Sequence, residues 1–404
     1  MAGTDFLHGV EVIEVDDGTR PIQTVKSSVI GIIGTAPDAD EAVFPANTPV
    51  MIAGSRSKAA SLDTSADRTA LGTLPNAVDL ILDQIGAAIV VVRVEEGADD
   101  AETLSNVIGG TQADGSYTGV HALKAAQTEV GFTPRILIAP GFTGDRPEDP
   151  ENPGTYLANS VVAELLGIAE QLRAHILADG PSTTDSAAMA YTDDWGSRRV
   201  YVIDPGVVKV MRDGVAVSEP ASSAVAGLVA KTDNNKGFWR SPSNQTINGI
   251  VGTSRPIDFA LGDVNSRANL LNENNVATII RENGFRLWGN RTCSADPKFQ
   301  FLSVSRTYDM ICDSILRNHL WAVDRNITKT YLKDVTEGVN AYIRELQALG
   351  AVLGGTCYAD PDLNTAESMA GGKVWFDVDF TPPYPAEHVI FRVAMVNDYL
   401  EDLV

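Results

Sequence analysis

The pattern of apolar and polar positions is clearest between Phe285 and Gly355. Val304, Tyr308, Ile311, Cys312, Ile315, Leu316 and His319/Leu320 recur at steps of three and four, which predicts a helix with one apolar stripe and with Arg306, Asp309, Asp313 and Arg317 on its other face. A second such helix carries Tyr331, Leu332, Val335, Val339, Tyr342, Ile343, Leu346 and Leu349. It begins near the capping residues Asn326 and Thr328 and stops at Gly350. The alternating runs Lys298–Val304 and Lys373–Phe380 read as strands that cover the two helices.

Upstream the pattern changes to short continuous apolar runs separated by helical segments. Ser28–Ala36, Ala88–Val94, Arg135–Gly141 and Arg199–Gly206 read as buried strands, and Asn76–Gly86, His121–Thr128 and Leu157–Arg173 as helices between them. Such alternation predicts a mainly parallel sheet covered on both faces. Gly141–Gly154 and Leu177–Asp194 read as flexible connections, and Val43–Thr73 has no clear pattern.

Each end of the chain carries one further strand pattern. Val10, Val12 and Val15 alternate with acidic residues, and Val389, Ile390, Phe391 and Val393 lie in the run His388–Val396. Neither has an obvious hairpin partner in sequence. An isolated strand is marginal in water, so each must join a sheet, either its own or a neighbour's.

The 404 residues carry a net charge of −22. Residues 281–350 hold ten basic and eight acidic side chains, a local +2 that leaves −24 for the rest. The acidic balance works against nucleic acid and anionic membranes. The basic segment suggests an acidic partner surface. Three cysteines without C-x-x-C spacing give no disulfide framework and no zinc site, and the first residues lack a secretory signal pattern, so cytoplasmic synthesis is expected.

No catalytic constellation emerges. GIIGTA lacks the dinucleotide spacing, no phosphate loop is present, and the prolines of the acidic loop around Asp145–Glu151 oppose a calcium turn. No cofactor or metal is expected. A subtilisin-like serine hydrolase is the enzymatic alternative: Asp204 ends an apolar strand as that family's aspartate does, and Gly252-Thr253-Ser254 looks like the start of its serine motif. No histidine lies between them to accept a proton.

Four stretches carry a family resemblance. They are Phe6–Val12; Val29–Pro37; Asp233–Asn244, which includes Trp239, Ser241, Pro242 and Asn244, closed by Ile247–Gly252; and Leu270–Ile280, followed by Gly284–Thr292, which includes Trp288, Gly289, Arg291 and Thr292. Together they resemble the tail sheath proteins of contractile injection systems, meaning phage tails, R-type pyocins and related particles. The W-G-x-R-T motif is the most specific element.

The resemblance implies an α/β and α+β fold. Residues 23–280 would form an outer, subtilisin-like α/β domain without catalytic residues, residues 281–385 an inner α+β domain, and residues 1–22 and 386–404 strand arms exchanged with neighbouring copies. Implied partners are the chain itself as a helical polymer, an inner tail tube protein, and baseplate and tail terminator proteins. The basic bias points to Lys329, Lys333 and Arg344 as tube-facing. A self-assembling shell or surface-layer protein is the non-enzymatic alternative.

Overall fold

The computed structural model describes residues 21–65, 72–210 and 214–397. Val10, Val12 and Val15 lie outside the described residues. The chain divides into two units, Lys26–Met310 with Pro383–Val404, and Met1–Val25 with Ile311–Pro382.

The large unit is built on strands β1 (Ile30–Thr35), β2 (Val50–Ala53), β3 (Ala88–Val94), β4 (Ile136–Ile138), β5 (His175–Asp179), β6 (Val200–Ile203), β7 (Val276–Arg281) and β8 (Phe285–Trp288). They form one eight-stranded sheet in the order β8-β7-β6-β5-β4-β1-β3-β2. The inner strands are parallel, and β2 and β8 close the two edges antiparallel.

Successive side chains on these strands feed two separate cores. Ile30, Ile32, Ile89, Val91, Tyr201 and Ile203 face helices α1 (Leu74–Gln84) and α3 (Ala221–Lys236). Ile33, Val90, Val92, Ile176, Val200 and Val202 face α2 (Ser160–Leu172). Covering both faces is what requires apolar residues at every strand position, since water reaches neither side.

Two sequence expectations are corrected here. Leu177–Asp194 is not a flexible connection: it continues β5 and forms a helix over Asp185–Asp193, whose first turn is capped by the Thr184 hydroxyl accepting from the Ala187 N–H at 3.1 Å. Lys298–Val304 is not a strand. Pro297–Phe299 forms a single 3-10 turn, in which the Asp296 carboxylate accepts the Lys298 N–H at 2.9 Å, and helix α4 (Leu302–Asn318) starts directly afterwards. The alternating phenylalanines mimic a strand, while the proline and the Asp296 cap take backbone donors that a ladder would need.

The faces of α4 and of the turn that follows it depart further from expectation. Arg306, Asp309 and Asp313 are buried rather than solvated, whereas Tyr308, Leu316 and Leu320 of the predicted core stripe are exposed. The buried charges are paired. Arg199 and Arg198 both donate to the Asp309 carboxylate, Arg198 at 3.2 Å, and Arg199 also reaches Glu170 at 3.1 Å. Arg306 donates to Asp233 at 2.8 Å and to the Ser27 carbonyl at 3.2 Å. His175 Nε2 lies 2.9 Å from the Ser305 hydroxyl, and burial together with the nearby guanidinium groups pulls its pKa well below the usual imidazole value, so the ring is neutral.

Asp179 ends β5 beneath the first turn of α3. Its carboxylate accepts from the Ser222 N–H at 2.7 Å, the Ser222 hydroxyl at 2.6 Å and the Thr143 hydroxyl at 3.3 Å. Burial nevertheless pushes its pKa up to about 6, so ionising it costs the folded state more than the unfolded chain. The stability this group contributes is complete below the unfolded value and is lost as pH rises through about 6. Urea unfolding of the unaltered chain and of Asp179→Asn should therefore show a stability difference that shifts by up to about 3 kcal/mol between pH 4 and pH 7. A difference independent of pH would contradict the assignment.

The smaller unit contains the second half of α4, helix α5 (Lys329–Leu349) and an antiparallel hairpin of β9 (Gly354–Ala359) and β10 (Phe376–Thr381). Val335, Val339, Tyr342, Ile343 and Leu346 form the buried stripe of α5. The Thr328 hydroxyl caps the start of α5 at 3.1 Å, and Gly350, at a left-handed φ of 78°, ends it.

Three asparagines each hold both backbone groups of one residue, as a neighbouring strand would. Asn318 binds Gln23 at 3.2 and 2.9 Å, Asn340 binds Cys357 at 2.8 and 2.8 Å, and Asn364 binds Trp375 at 2.8 and 2.8 Å. The first, with Ser314 accepting the Val25 N–H at 3.1 Å and Tyr342 meeting Thr24 at 3.0 Å, ties residues 23–25 to the helices.

Candidate functional site: the signature cluster and the carboxyl-terminal arm

The structure brings the two tryptophan-containing motifs into one cluster in the large unit. Residues 244–247 run along the outer side of β8, with Asn244 N–H bonded to the Leu287 carbonyl at 2.6 Å and Ile247 N–H to the Phe285 carbonyl at 2.9 Å. Ser241 donates to the Asn290 side chain and accepts the Ser243 N–H at 3.1 Å, while the Ser243 hydroxyl accepts the Gly289 N–H at 3.1 Å. Pro242 is buried between them. Asn244 takes a left-handed φ of 59°, and Arg286 holds its carbonyl at 2.9 Å.

The tryptophans pack edge-on, Trp239 against Phe238 with ring centres 5.1 Å apart and Trp288 against Phe259 at 5.0 Å. Gly289 sits at φ 145°, its carbonyl accepting the Tyr201 hydroxyl at 2.8 Å. A Cβ there would lie 2.7 Å from the Ala277 Cα. Thr292 is fully buried, its N–H bonded to the Gln300 carbonyl at 2.7 Å and its hydroxyl to the Phe299 carbonyl at 3.0 Å. The cluster closes the β8 edge and sets the direction in which the chain enters α4.

Arg291 points elsewhere. Its guanidinium forks onto Glu387, with Nε 3.0 Å from Oε1 and Nη2 2.6 Å from Oε2. Three residues earlier the Tyr384 ring meets Phe301 at 6.1 Å. Beyond Glu387 the chain takes no regular secondary structure and joins no strand among the described residues. Val389, Ile390, Phe391, Val393 and Met395 there are between 63% and 96% exposed. A contiguous apolar run so exposed is uncommon on the surface of a soluble monomer.

The basic candidates Lys329, Lys333 and Arg344 are exposed on α5. At 100° per residue they fall within about 60° of one another, so they form one stripe. Lys333 is also within 3.5 Å of Glu337.

The hydrolase alternative gains no geometry. Asp204 accepts the Ser182 N–H at 2.6 Å and is paired with Arg255. Burial pushes its carboxyl above the usual range against the pull of that guanidinium. The Ser254 hydroxyl meets the Ser182 hydroxyl at 2.7 Å. His121 is bound to Glu164 at 2.8 Å, His175 to Ser305 and His319 to the Ile315 carbonyl at 2.6 Å, so these imidazoles are engaged elsewhere. Among the described residues no group of three or more metal-ligating side chains is placed to hold an ion, and no helix is long and apolar enough to cross a membrane.

The described residues thus comprise a sheet covered on both faces, a hydrogen-bonded signature cluster at its β8 edge and an exposed apolar carboxyl-terminal run. Residues 115–293 match the phage tail sheath protein central domain and residues 294–396 the phage tail sheath C-terminal domain. The chain is 43% identical over 400 residues to a putative prophage major tail sheath protein of Pseudomonas aeruginosa (strain UCBPP-PA14), covering 99% of each, and 37% identical over 412 residues to the tail sheath protein of Escherichia phage P2, covering 99% of this chain and 98% of that one. This protein belongs to the phage tail sheath family. Its fold is shared with the helical sheath of the anti-feeding prophage in the contracted state, at a TM-score of 0.71 and 21% identity, covering 97% of this chain and 100% of that one. It is shared too with the contracted PVC sheath of an extracellular contractile injection system, at 0.66 and 15%, covering 98% and 99%.

Proposed function

We propose that this chain is the repeating subunit of a contractile sleeve, assembled extended around an inner tube in the bacterial cytoplasm and bounded by baseplate and tail terminator proteins, which shortens to drive the tube through a target envelope. The observation that carries the mechanism is the arm. Its apolar side chains stand in water, while the β9–β10 hairpin is a sheet of only two strands among the described residues. Two-stranded sheets are marginal alone and arms are marginal alone, so exchange between copies satisfies both. Residues 1–22 supply a second arm with Val10, Val12 and Val15. Main-chain ladders between copies hold while the domains they connect rotate, so the lattice shortens without coming apart.

In this reading residues 23–280 form the outer domain, a subtilisin-like framework without catalysis: Asp204 pairs with an arginine, and Ser254 faces a hydroxyl. The stripe Lys329, Lys333 and Arg344 faces an acidic tube surface. Deleting residues 1–17 tests the mechanism. The truncated chain should remain soluble and folded by circular dichroism yet form no sleeves in electron micrographs. Sleeves of ordinary length would refute arm exchange at that end.

A further inference from the structure

We propose that Arg291 and Glu387 form a clasp that fixes the point where the carboxyl-terminal arm leaves its own subunit, which makes Arg291 a positioning residue for assembly. The inference rests on the sleeve reading and assigns a task to the arginine of the W-G-x-R-T motif.

Arg291 is held on a rigid base. Gly289 before it and Thr292 after it are locked by the hydrogen bonds described above, and Arg291 itself makes a β-bridge to Phe301. The guanidinium offers Glu387 a bidentate fork, a geometry that fixes direction as well as distance. Phe301, the bridge partner, receives the Tyr384 ring. Residues 384–387 are thereby held twice, both times on the segment that the motif begins. From His388 to Asn397 no hydrogen bond is found among the described residues. Glu387 is the last held residue and His388 the first free one.

Both members of the pair are about one-third exposed, the side chains at 35% and 32%. An ion pair so wetted adds little to the stability of the fold. Its effect lies in preorganisation. An arm leaving from a fixed point in a fixed direction searches a small volume for its receiving sheet, while an arm freed back to Tyr384, where the Phe301 ring still meets it, searches a larger one. Glu273 also lies near enough to raise the Arg291 pKa further, after Glu387 itself, so the guanidinium sits in an acidic surround that keeps it charged.

A nitroxide placed at Ala386→Cys, with the partly exposed Cys312 replaced by Ser, reads the clasp in the isolated subunit. The label should be immobilised in the otherwise unaltered chain, mobile in Glu387→Ala and Arg291→Ala, and intermediate in Arg291→Lys, which keeps the charge and loses the fork. In parallel, the fraction of chain sedimenting as sleeves should fall about tenfold in Glu387→Ala, with an unchanged unfolding midpoint. A label already mobile in the unaltered chain would overturn the proposal. So would sleeves at full yield in Glu387→Ala, or a loss of sleeves matched by a loss of folded subunit. If the unaltered chain forms no sleeves at all, the sleeve reading fails, and the label still decides whether the clasp exists.

Discussion

Asp309→Ala is expected to destabilise the large unit by about 3–5 kcal/mol, the cost of leaving buried cations without a counter-charge. Asp309 has no exposed surface and accepts from two guanidinium groups, one of which, Arg199, is itself buried. Deleting the carboxylate strands Arg199 among β5, β6 and α4, where water cannot reach it, and leaves Glu170 as its remaining ionic partner. Arg198 fares better, because it is partly exposed and stacks on Phe299 at 4.3 Å. The double variant Arg199→Met/Asp309→Leu should therefore recover much of the loss, since replacing a buried pair by apolar side chains of similar size is close to neutral. Guanidinium unfolding of the three chains measures this. A single variant as stable as the unaltered chain would mean that the pair is solvated.

Gly289→Ala is the second large effect, at about 2–5 kcal/mol from combined backbone strain and overpacking. At φ 145° an alanine is strained whatever the space, and here its Cβ would lie 2.7 Å from one backbone atom of Ala277 and 2.9 Å from that residue's Cβ. Neither can yield, because Ala277 sits in β7 between β6 and β8. Gly284→Ala is the control. It shares a positive φ of 105°, but the nearest atom to its Cβ is a threonine methyl at 3.4 Å. Thermal unfolding should place Gly289→Ala well below Gly284→Ala; equal losses would mean that the contact with β7 carries no weight.

What could be read from sequence follows from which forces act locally. The strand Ala88–Val94 and the end of α5 at Gly350 appear where expected, because an unbroken apolar run and a left-handed glycine are local signals. Helix α3 left no such signal. It is buried almost all round, so its small apolar residues have no polar face to set a period. Strand β9 begins Gly-Gly-Thr-Cys, a poor strand by propensity, and exists through its pairing with β10 and the Asn340 contact.

The positive bias of residues 281–350 was legible, yet Arg306 spends its charge internally on Asp233. A count along the chain cannot separate buried cations from exposed ones. The signature motif was equally plain as a string, while Glu387, 96 residues from Arg291, was not. Ion pairs between remote segments leave no periodicity to read.

The exposed arm also has a consequence for the free subunit in a crowded cell. Val389–Val396 combines high strand propensity with large apolar side chains, the composition that promotes aggregation when left uncovered. Arg392 interrupts the run, and Glu387 before it and Asp398, Glu401 and Asp402 after it flank it with charge, so these residues act as gatekeepers. Under the arm exchange proposed above, solubility before polymerisation and adhesion during it would be set by the same short segment. A substitution that made the arm grip harder would also make the unassembled pool more prone to precipitate.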